Sequence, residues 1–175
     1  MNHPTILTPH ITAKVHGQGE MSMVTEDLKA KAEVCYGDET CREKFMLLLT
    51  EIGLPIGLLR VQDIEECGYV RDIGFVWLKH KEKRQCYRFD KLVICYDTMV
   101  TAYVEHNKIK NLTGVKAKEF LIWINLTEIY VDNTPAAGSI TFKTPVGLSK
   151  SFPLSLFTSI MNKEQVKEVE IMQRR

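Results

Sequence analysis

The chain has 175 residues, a length typical of one domain and sufficient to bury a hydrophobic core without disulfides or metal. Lys and Arg (23) nearly balance Asp and Glu (22), and the net charge of +1 argues against a general nucleic-acid binder and against a purely electrostatic attachment to membranes. No stretch approaches the roughly 20 apolar residues of a membrane span, so no transmembrane segment is predicted.

The two ends of the chain differ in composition from its middle. Residues 1–22 contain no apolar run of signal-peptide type, and we expect a disordered extension and a cytoplasmic location. Residues 161–175 are polar and predict a C-terminal tail. Residues 23–160 remain as a single globular domain, expected to be a monomer.

The five cysteines show no CxxC spacing and no histidine partner, which disfavours a zinc site. Their odd number and the absence of a secretory signal favour five reduced thiols, several of them buried as small apolar side chains. No metal and no cofactor are predicted.

Helices are predicted within residues 25–52. Thr25 is a candidate N-cap for a first helix that Gly37 would end. Asp38 is the candidate N-cap of a second helix that stops at Gly53. The apolar residues of this second helix recur with helical spacing, which predicts one buried stripe: Cys41, Phe45, Leu48, Leu49 and Ile52.

The pattern changes to β-strands in residues 54–160. Strands follow one another at short spacing without intervening helices, and Asn107 lies in a hairpin turn because asparagine tolerates positive φ. The fold class is therefore α+β and mainly β, with a curved mixed or antiparallel sheet forming a pseudo-barrel and the N-terminal helices packed against it. The predicted strands are Gly68–Lys79 (one or two strands), Gln85–Phe89, Leu92–Tyr96, Met99–Glu105, Glu119–Asp132 and Ser139–Thr144.

Four segments, in order, resemble the plant "domain of unknown function 538" family: GYVRDIGFVWL from Gly68, YDTMVTA from Tyr96, LTGVKAKEFLIWINLTEIYVD from Leu112 and ITFKTPVGLSKSFPLSLF from Ile140. With LPIGLL at Leu54, the resemblance spans about residues 54–157. It implies a plant protein with a β-rich pseudo-barrel, which has been likened to lipid-binding barrels. It implies no catalytic residues.

The segment Phe120–Val131 is apolar on both of its faces, so we expect a strand that is covered on both sides. One face mixes Trp123 with Asn125 and Thr127, and this combination suits the wall of a small-molecule cavity. The competing interpretation is a core strand whose polar groups are satisfied by neighbours. Three further aromatic residues are candidates for the same cavity or for the ordinary core: Phe75, Trp77 and Tyr103.

An amphipathic, lipid-like ligand in a β-sheet cavity is therefore the first hypothesis for function. The first alternative is an ester hydrolase, although the sequence has no G-x-S-x-G motif and no catalytic residue can be named. His80 and His106 are the two histidines of the predicted domain, and nearby charges favour solvent exposure for both. The second alternative is a non-enzymatic, stress-related interaction module that meets a protein partner through its N-terminal helices.

Overall fold

The computed structural model describes residues 24–81, 84–119, 121–132 and 138–158. The predicted extension 1–22 and tail 161–175 lie outside these residues. The described part contains two α-helices, α1 (Glu26–Ala30) and α2 (Asp38–Glu51), and ten strands. The strands are β1 (Glu33–Tyr36), β2 (Ile64–Val70), β3 (Phe75–His80), β4 (Gln85–Phe89), β5 (Leu92–Glu105), β6 (Lys108–Glu119), β7 (Ile122–Asn125), β8 (Glu128–Val131), β9 (Ser139–Lys143) and β10 (Ser149–Pro153).

The described strands form one sheet in which every pairing is antiparallel. Its main path runs β1-β2-β3-β5-β6-β8-β9-β10. Within the described residues this path is open, with β1 at one end and β10 at the other. The mainly β character predicted from the sequence is confirmed, and of the two sheet types that the prediction left open, mixed or antiparallel, the described sheet is antiparallel.

The β5–β6 hairpin lies at the centre of the sheet, because each of its two strands pairs with a different neighbouring strand at each end. The sheet is thereby divided into two halves that share the hairpin. The end of β5 at Met99–Tyr103 pairs with β3, whereas its beginning at Leu92–Tyr96 pairs with β4. In the same way the start of β6 pairs with β8 and its end pairs with β7. The register of β5 with β6 shifts between Tyr96 and Thr101, so the two halves meet at an irregularity in this long hairpin. The hairpin turns at Asn107, whose φ of 57° confirms the predicted left-handed turn residue.

Helix α2 contributes Cys41, Leu48 and Leu49 to the main core, where they join strand residues such as Val76 and Leu78. Ile52, directly after the helix, is also buried, whereas Phe45 is only half-buried. The N-cap is Gly37 and not Asp38 as predicted. Asp38 lies in the first turn, where its Oδ1 accepts a hydrogen bond from the backbone N–H of Ile64 at 3.2 Å. The carboxylate thereby joins the helix start to the start of β2.

The prediction of one helix from Thr25 to Gly37 is wrong in its second half. Thr25 does cap α1, since its hydroxyl accepts the N–H of Leu28, but the helix ends at Ala30. Residues Glu33–Tyr36 instead form β1, which pairs with β2 along the sheet edge. A helix this short is marginal in water, and the segment gains more hydrogen bonds by covering the open edge of β2.

The prediction of one continuous strand covered on both sides between Phe120 and Val131 is also wrong. Two strands occupy this region, β7 and β8, separated at Leu126 and Thr127. All four residues of β7 are exposed, because its described neighbour is β6 on one side and no described element lies over it. Phe120 itself lies outside the described residues.

The expectation of five reduced cysteines is contradicted by a disulfide between Cys86 and Cys95. These residues face each other directly across β4 and β5. Sequence spacing could not reveal this pairing, since it depends on the strand register. Cys35, Cys41 and Cys67 are free.

Candidate functional site

The sheet half built from β1, β2, β3 and β5 has two differently covered faces. One faces the main core and α2. The other, which we call the back face, carries a separate apolar cluster of Val70, Phe75 and Trp77. Residues from the α1 region cover this cluster, including Val24, Leu28 and Ala32. A cleft opens on the back face beside the covered part, and it is the candidate site.

Trp77 lies beside the cleft and holds Glu66, which lines the cleft. Its indole ring lies over Gly68 on the neighbouring strand, at a distance where a Cβ would meet ring atoms at 2.1 Å. Glycine at position 68 is therefore required for the ring to occupy this place. The indole Nε1–H donates a hydrogen bond of 2.8 Å to Oε1 of Glu66, since a buried indole N–H needs an acceptor.

Glu66 connects Trp77 to helix α1 through an ion pair with Lys29, whose Nζ lies 2.9 Å from Oε1. Burial alone would raise the pKa of Glu66, but hydrogen bonds from Lys29 and Trp77 outweigh it and hold the pKa below its usual value. The hydrogen bond to Glu66 raises the pKa of Lys29. Both groups are therefore charged at neutral pH, and the wall carries a fixed dipole.

The floor of the cleft comes from β5 and β6. Thr101 is opposite Trp77 across the β3–β5 pair, and its Oγ1 lies 2.7 Å from Oγ1 of Thr113. Arg84, just before β4, also lines the cleft and forms an ion pair of 2.7 Å between its Nε and Oδ1 of Asp97. Apolar surface comes from Met99 and Val24. The cleft has a volume of about 820 Å³ and is lined by Val24, Lys29, Glu66, Lys79, Arg84, Asp97, Thr98, Met99, Thr101, Thr113 and Gly114.

The structure divides the six predicted ligand-binding residues into two groups. Phe75, Trp77 and Tyr103 lie together, with ring centroids 6.1 Å apart for Phe75 and Trp77 and 5.2 Å apart for Phe75 and Tyr103. They form the cluster next to the cleft rather than its lining. Trp123 and Asn125 are exposed on β7. Thr127 follows β7 and donates a hydrogen bond to the carbonyl of Lys143.

Sequence reasoning missed most residues that line the cleft. Thr101 was placed correctly on an alternating strand, but its pairing with Thr113 follows from the β5–β6 register alone. One signal was available for Glu66: a carboxylate within the apolar strand that precedes Trp77 is a candidate acceptor for the indole N–H. Arg84 and Asp97 are 13 positions apart, and no local pattern joins them.

A second concavity lies between α2 and the β1–β2 pair. It has a volume of about 190 Å³, with an apolar lining that includes Phe45, Leu48 and Cys67. Burial raises the pKa of the Cys67 thiol, so the thiol is neutral at physiological pH. Because small-molecule sites usually have about 300–1,000 Å³, this groove is too small for a complete ligand.

His80 is buried, in contrast to the predicted solvent exposure. Its Nδ1 lies 3.0 Å from the carbonyl oxygen of Asp97, which requires the proton of the neutral ring on Nδ1. Nε2 is buried without a partner among the described residues. In that part of the chain no serine or cysteine side chain hydrogen-bonds to His80 or to the exposed His106, so no nucleophile–base pair is formed there.

A comparison with family models matched residues 45–158 to the family described as "Protein of unknown function, DUF538". The chain belongs to this family. The match includes β2 to β10 and the second half of α2, so the DUF538 region supplies the β3–β5–β6 floor of the cleft, while Lys29 and Val24 come from residues before it. No curated protein and no solved structure matched the chain. Within the described residues, none of the helices has the length and apolar character needed to cross a bilayer.

Proposed function

We propose that the protein binds a small amphipathic, lipid-like molecule in the back-face cleft. The observation that carries this proposal is the cleft volume of about 820 Å³ combined with a lining that is apolar at Val24 and Met99 and polar at its floor and walls. Ligand sites in proteins are of this size and combine apolar surface with a few polar groups that fix orientation.

The distribution of polar groups favours a particular orientation of the ligand. Each cationic side chain that lines the cleft is paired with a carboxylate: Lys29 with Glu66, Arg84 with Asp97, and Lys79 with Glu65. The hydroxyls of Thr98, Thr101 and Thr113 add donors. A hydrogen-bonding head group would lie there, with an apolar tail along Met99 and Val24.

The experiment measures binding of a fluorescent fatty-acid analogue, with native mass spectrometry of the purified protein for co-purified lipid. Thr98 is exposed at the cleft, so Thr98→Trp fills the cleft without entering the core. We expect this variant to weaken binding of the probe by about tenfold or more. Thr40→Trp is the matched control, since Thr40 is also exposed but lies on α2.

Two results would overturn the proposal. One is wild-type protein that neither carries a lipid nor binds the probe. The other is equal binding by the wild type, Thr98→Trp and Thr40→Trp, which would place the probe outside the cleft.

The ester-hydrolase and interaction-module hypotheses remain alternatives without a specific contact to favour them. Four further points likewise stay predictions: a pseudo-barrel closure of the sheet with the N-terminal helices packed against it, a plant source, a cytoplasmic location and a monomeric state. The Cys86–Cys95 disulfide favours an oxidising compartment over the cytoplasm, because cytosolic thiols are kept reduced. Mass measurement of the protein isolated from its native cells, with and without reductant, decides between the two compartments.

A further inference from the structure

Two segments outside the cleft expose large apolar side chains at one end of the molecule. The first holds Leu121 and the β7 residues Ile122, Trp123 and Ile124, and the second is the β9–β10 turn with Val146 and Leu148. We call these six residues the apolar end. Lys150 of β10 forms an ion pair with Glu119 of β6, and Glu119 pairs with Ile122, so the two segments lie near each other.

The exposure of the apolar end is unusual for a protein surface. Leu121 is 89% exposed and Val146 is 79% exposed. Single exposed apolar residues are common, but β7 is apolar on both of its faces, because successive strand residues alternate and place Trp123 on one face and Ile122 and Ile124 on the other. An exposed apolar patch of this kind marks an interaction surface. Within the described residues β7 pairs with β6 alone, so nothing described covers this patch.

Cations stand next to this patch on strand β6. Lys116 pairs with Asn125, and Lys118 pairs with Trp123, with its Nζ 5.3 Å from the ring centroid. Neither lysine has a carboxylate partner among the described residues. Glu119, the acidic residue beside them, is already neutralised by Lys150. The face of β7 that carries Trp123 therefore combines apolar surface with free positive charge.

We propose that the apolar end docks on the surface of a lipid bilayer that contains anionic head groups. Leucine and isoleucine side chains gain free energy by entering the acyl boundary, and lysines beside them attract anionic head groups. Tryptophan prefers the head-group level because its ring is apolar and its N–H is polar. Trp123, with its apolar ring and polar N–H, lies next to Lys118. This inference is independent of the cleft.

The two tryptophans make the test specific. Trp77 is fully buried and Trp123 is 47% exposed. With vesicles of phosphatidylcholine and phosphatidylglycerol, we expect the wild type to co-sediment, its emission to shift to shorter wavelength, and brominated lipids to quench it. Trp123→Phe should lose the shift and most of the quenching, since the remaining Trp77 stays in the core. Vesicles of phosphatidylcholine alone should bind the protein more weakly.

Variants separate the apolar and the charged contributions. The double variant Leu121→Ser, Ile122→Ser should weaken vesicle binding by about tenfold or more. Ile73→Ser is the matched control, because Ile73 is an exposed isoleucine in the turn between β2 and β3. The double variant Lys116→Glu, Lys118→Glu should remove the preference of the protein for anionic vesicles and the sensitivity of vesicle binding to salt. All replaced side chains lie at the surface, and unchanged melting temperatures establish that the variants are folded.

Three outcomes would overturn the proposal. The first is no co-sedimentation of the wild type with anionic vesicles. The second is equal binding by the wild type and the Leu121→Ser, Ile122→Ser variant. The third is a wild type that does not bind vesicles but forms a dimer in analytical ultracentrifugation, with the dimer lost in the Leu121→Ser, Ile122→Ser variant. The apolar end would then be a contact between two copies of the chain.

Discussion

At the scale of single residues, His80 is a titratable side chain that the fold buries. Burial lowers its pKa from the ordinary value of 6.5, and this effect outweighs the carbonyl of Asp97 and the charges of Asp63 and Asp38, which favour the protonated ring. The folded protein therefore holds His80 neutral, with Nε2 unpartnered in the described interior. The unfolded chain binds a proton there more readily.

This difference predicts a loss of stability in mild acid. Because the folded pKa lies below the unfolded one, the stabilisation is fully present above pH 6.5 and is lost as the pH falls below this value. One proton corresponds to a slope of at most about 1.4 kcal/mol per pH unit in the free energy of unfolding. Urea denaturation between about pH 7 and pH 5 measures this slope, in a range where histidine is the side chain that ordinarily titrates.

His80→Gln should flatten the slope, since an amide side chain does not titrate. The control is His106→Gln in the exposed β5–β6 turn, which should leave the slope unchanged. If His80→Gln kept the wild-type slope, the pH dependence would have to arise from another group.

At the scale of elements, α2 shows how helical periodicity translates into burial. Leu48 is 7% exposed and its neighbour Leu47 is 67% exposed, because consecutive residues of a helix point in different directions. The predicted stripe is therefore confirmed at Cys41, Leu48, Leu49 and Ile52. Phe45 departs from it because it lies at the margin of the contact, beside the small groove.

The adjacent leucines give a matched pair of substitutions. Leu48→Ala should reduce the free energy of unfolding by about 2–5 kcal/mol, through lost burial and the cavity that remains. Leu47→Ala should change it by less than about 0.5 kcal/mol, since the side chain is largely in solvent. Thermal and urea denaturation measure both.

The result that contradicts the core position of α2 is an equal effect of the two substitutions. A small effect of Leu48→Ala on the free protein would mean that the helix is held loosely.

Strand β7 shows where element-scale reasoning from sequence fails. Its residues are as apolar as those of a buried strand, yet all four are exposed. Apolar composition predicts that a segment can be buried, whereas burial itself requires a neighbouring element to cover it. The sheet places β7 beside β6 at the margin of one half, where no described element covers it.

At the scale of the whole molecule, the β5–β6 hairpin connects both halves of the sheet and carries most of its pairings. The two strands pair with each other over most of their length, and with four further strands: β3, β4, β7 and β8. Opening this hairpin would disrupt both halves together. Opening β1 or β10 would disrupt one pairing each, because they end the path.

This topology predicts a gradient of amide exchange. Hydrogen exchange followed by mass spectrometry should show the slowest exchange in peptides from Leu92–Glu105 and Lys108–Glu119, since these amides exchange only when the whole domain unfolds. Peptides from Glu33–Tyr36 and Ser149–Pro153 should exchange faster through local opening. Equal protection in all four regions would show that the domain opens as one unit, and the gradient would then be wrong.

The sequence by itself determined what depends on neighbouring residues. Alternating and helical patterns predicted a mainly β domain, the stripe of α2 and the turn at Asn107, because these follow from local periodicity and from the φ that a single residue tolerates. The ordered segments from Gly68 to Phe157 also sufficed to place the chain in its family.

Only the tertiary structure decided what depends on the register between strands and on which elements cover a given residue. The cleft requires Thr101 opposite Trp77 and Thr113 opposite Thr101, and the disulfide requires Cys86 opposite Cys95. The burial of His80 and the exposure of Trp123 depend on which elements lie over them. These relations join residues that are distant in sequence, and the free energy of packing the whole sheet selects them, so no local pattern could contain them.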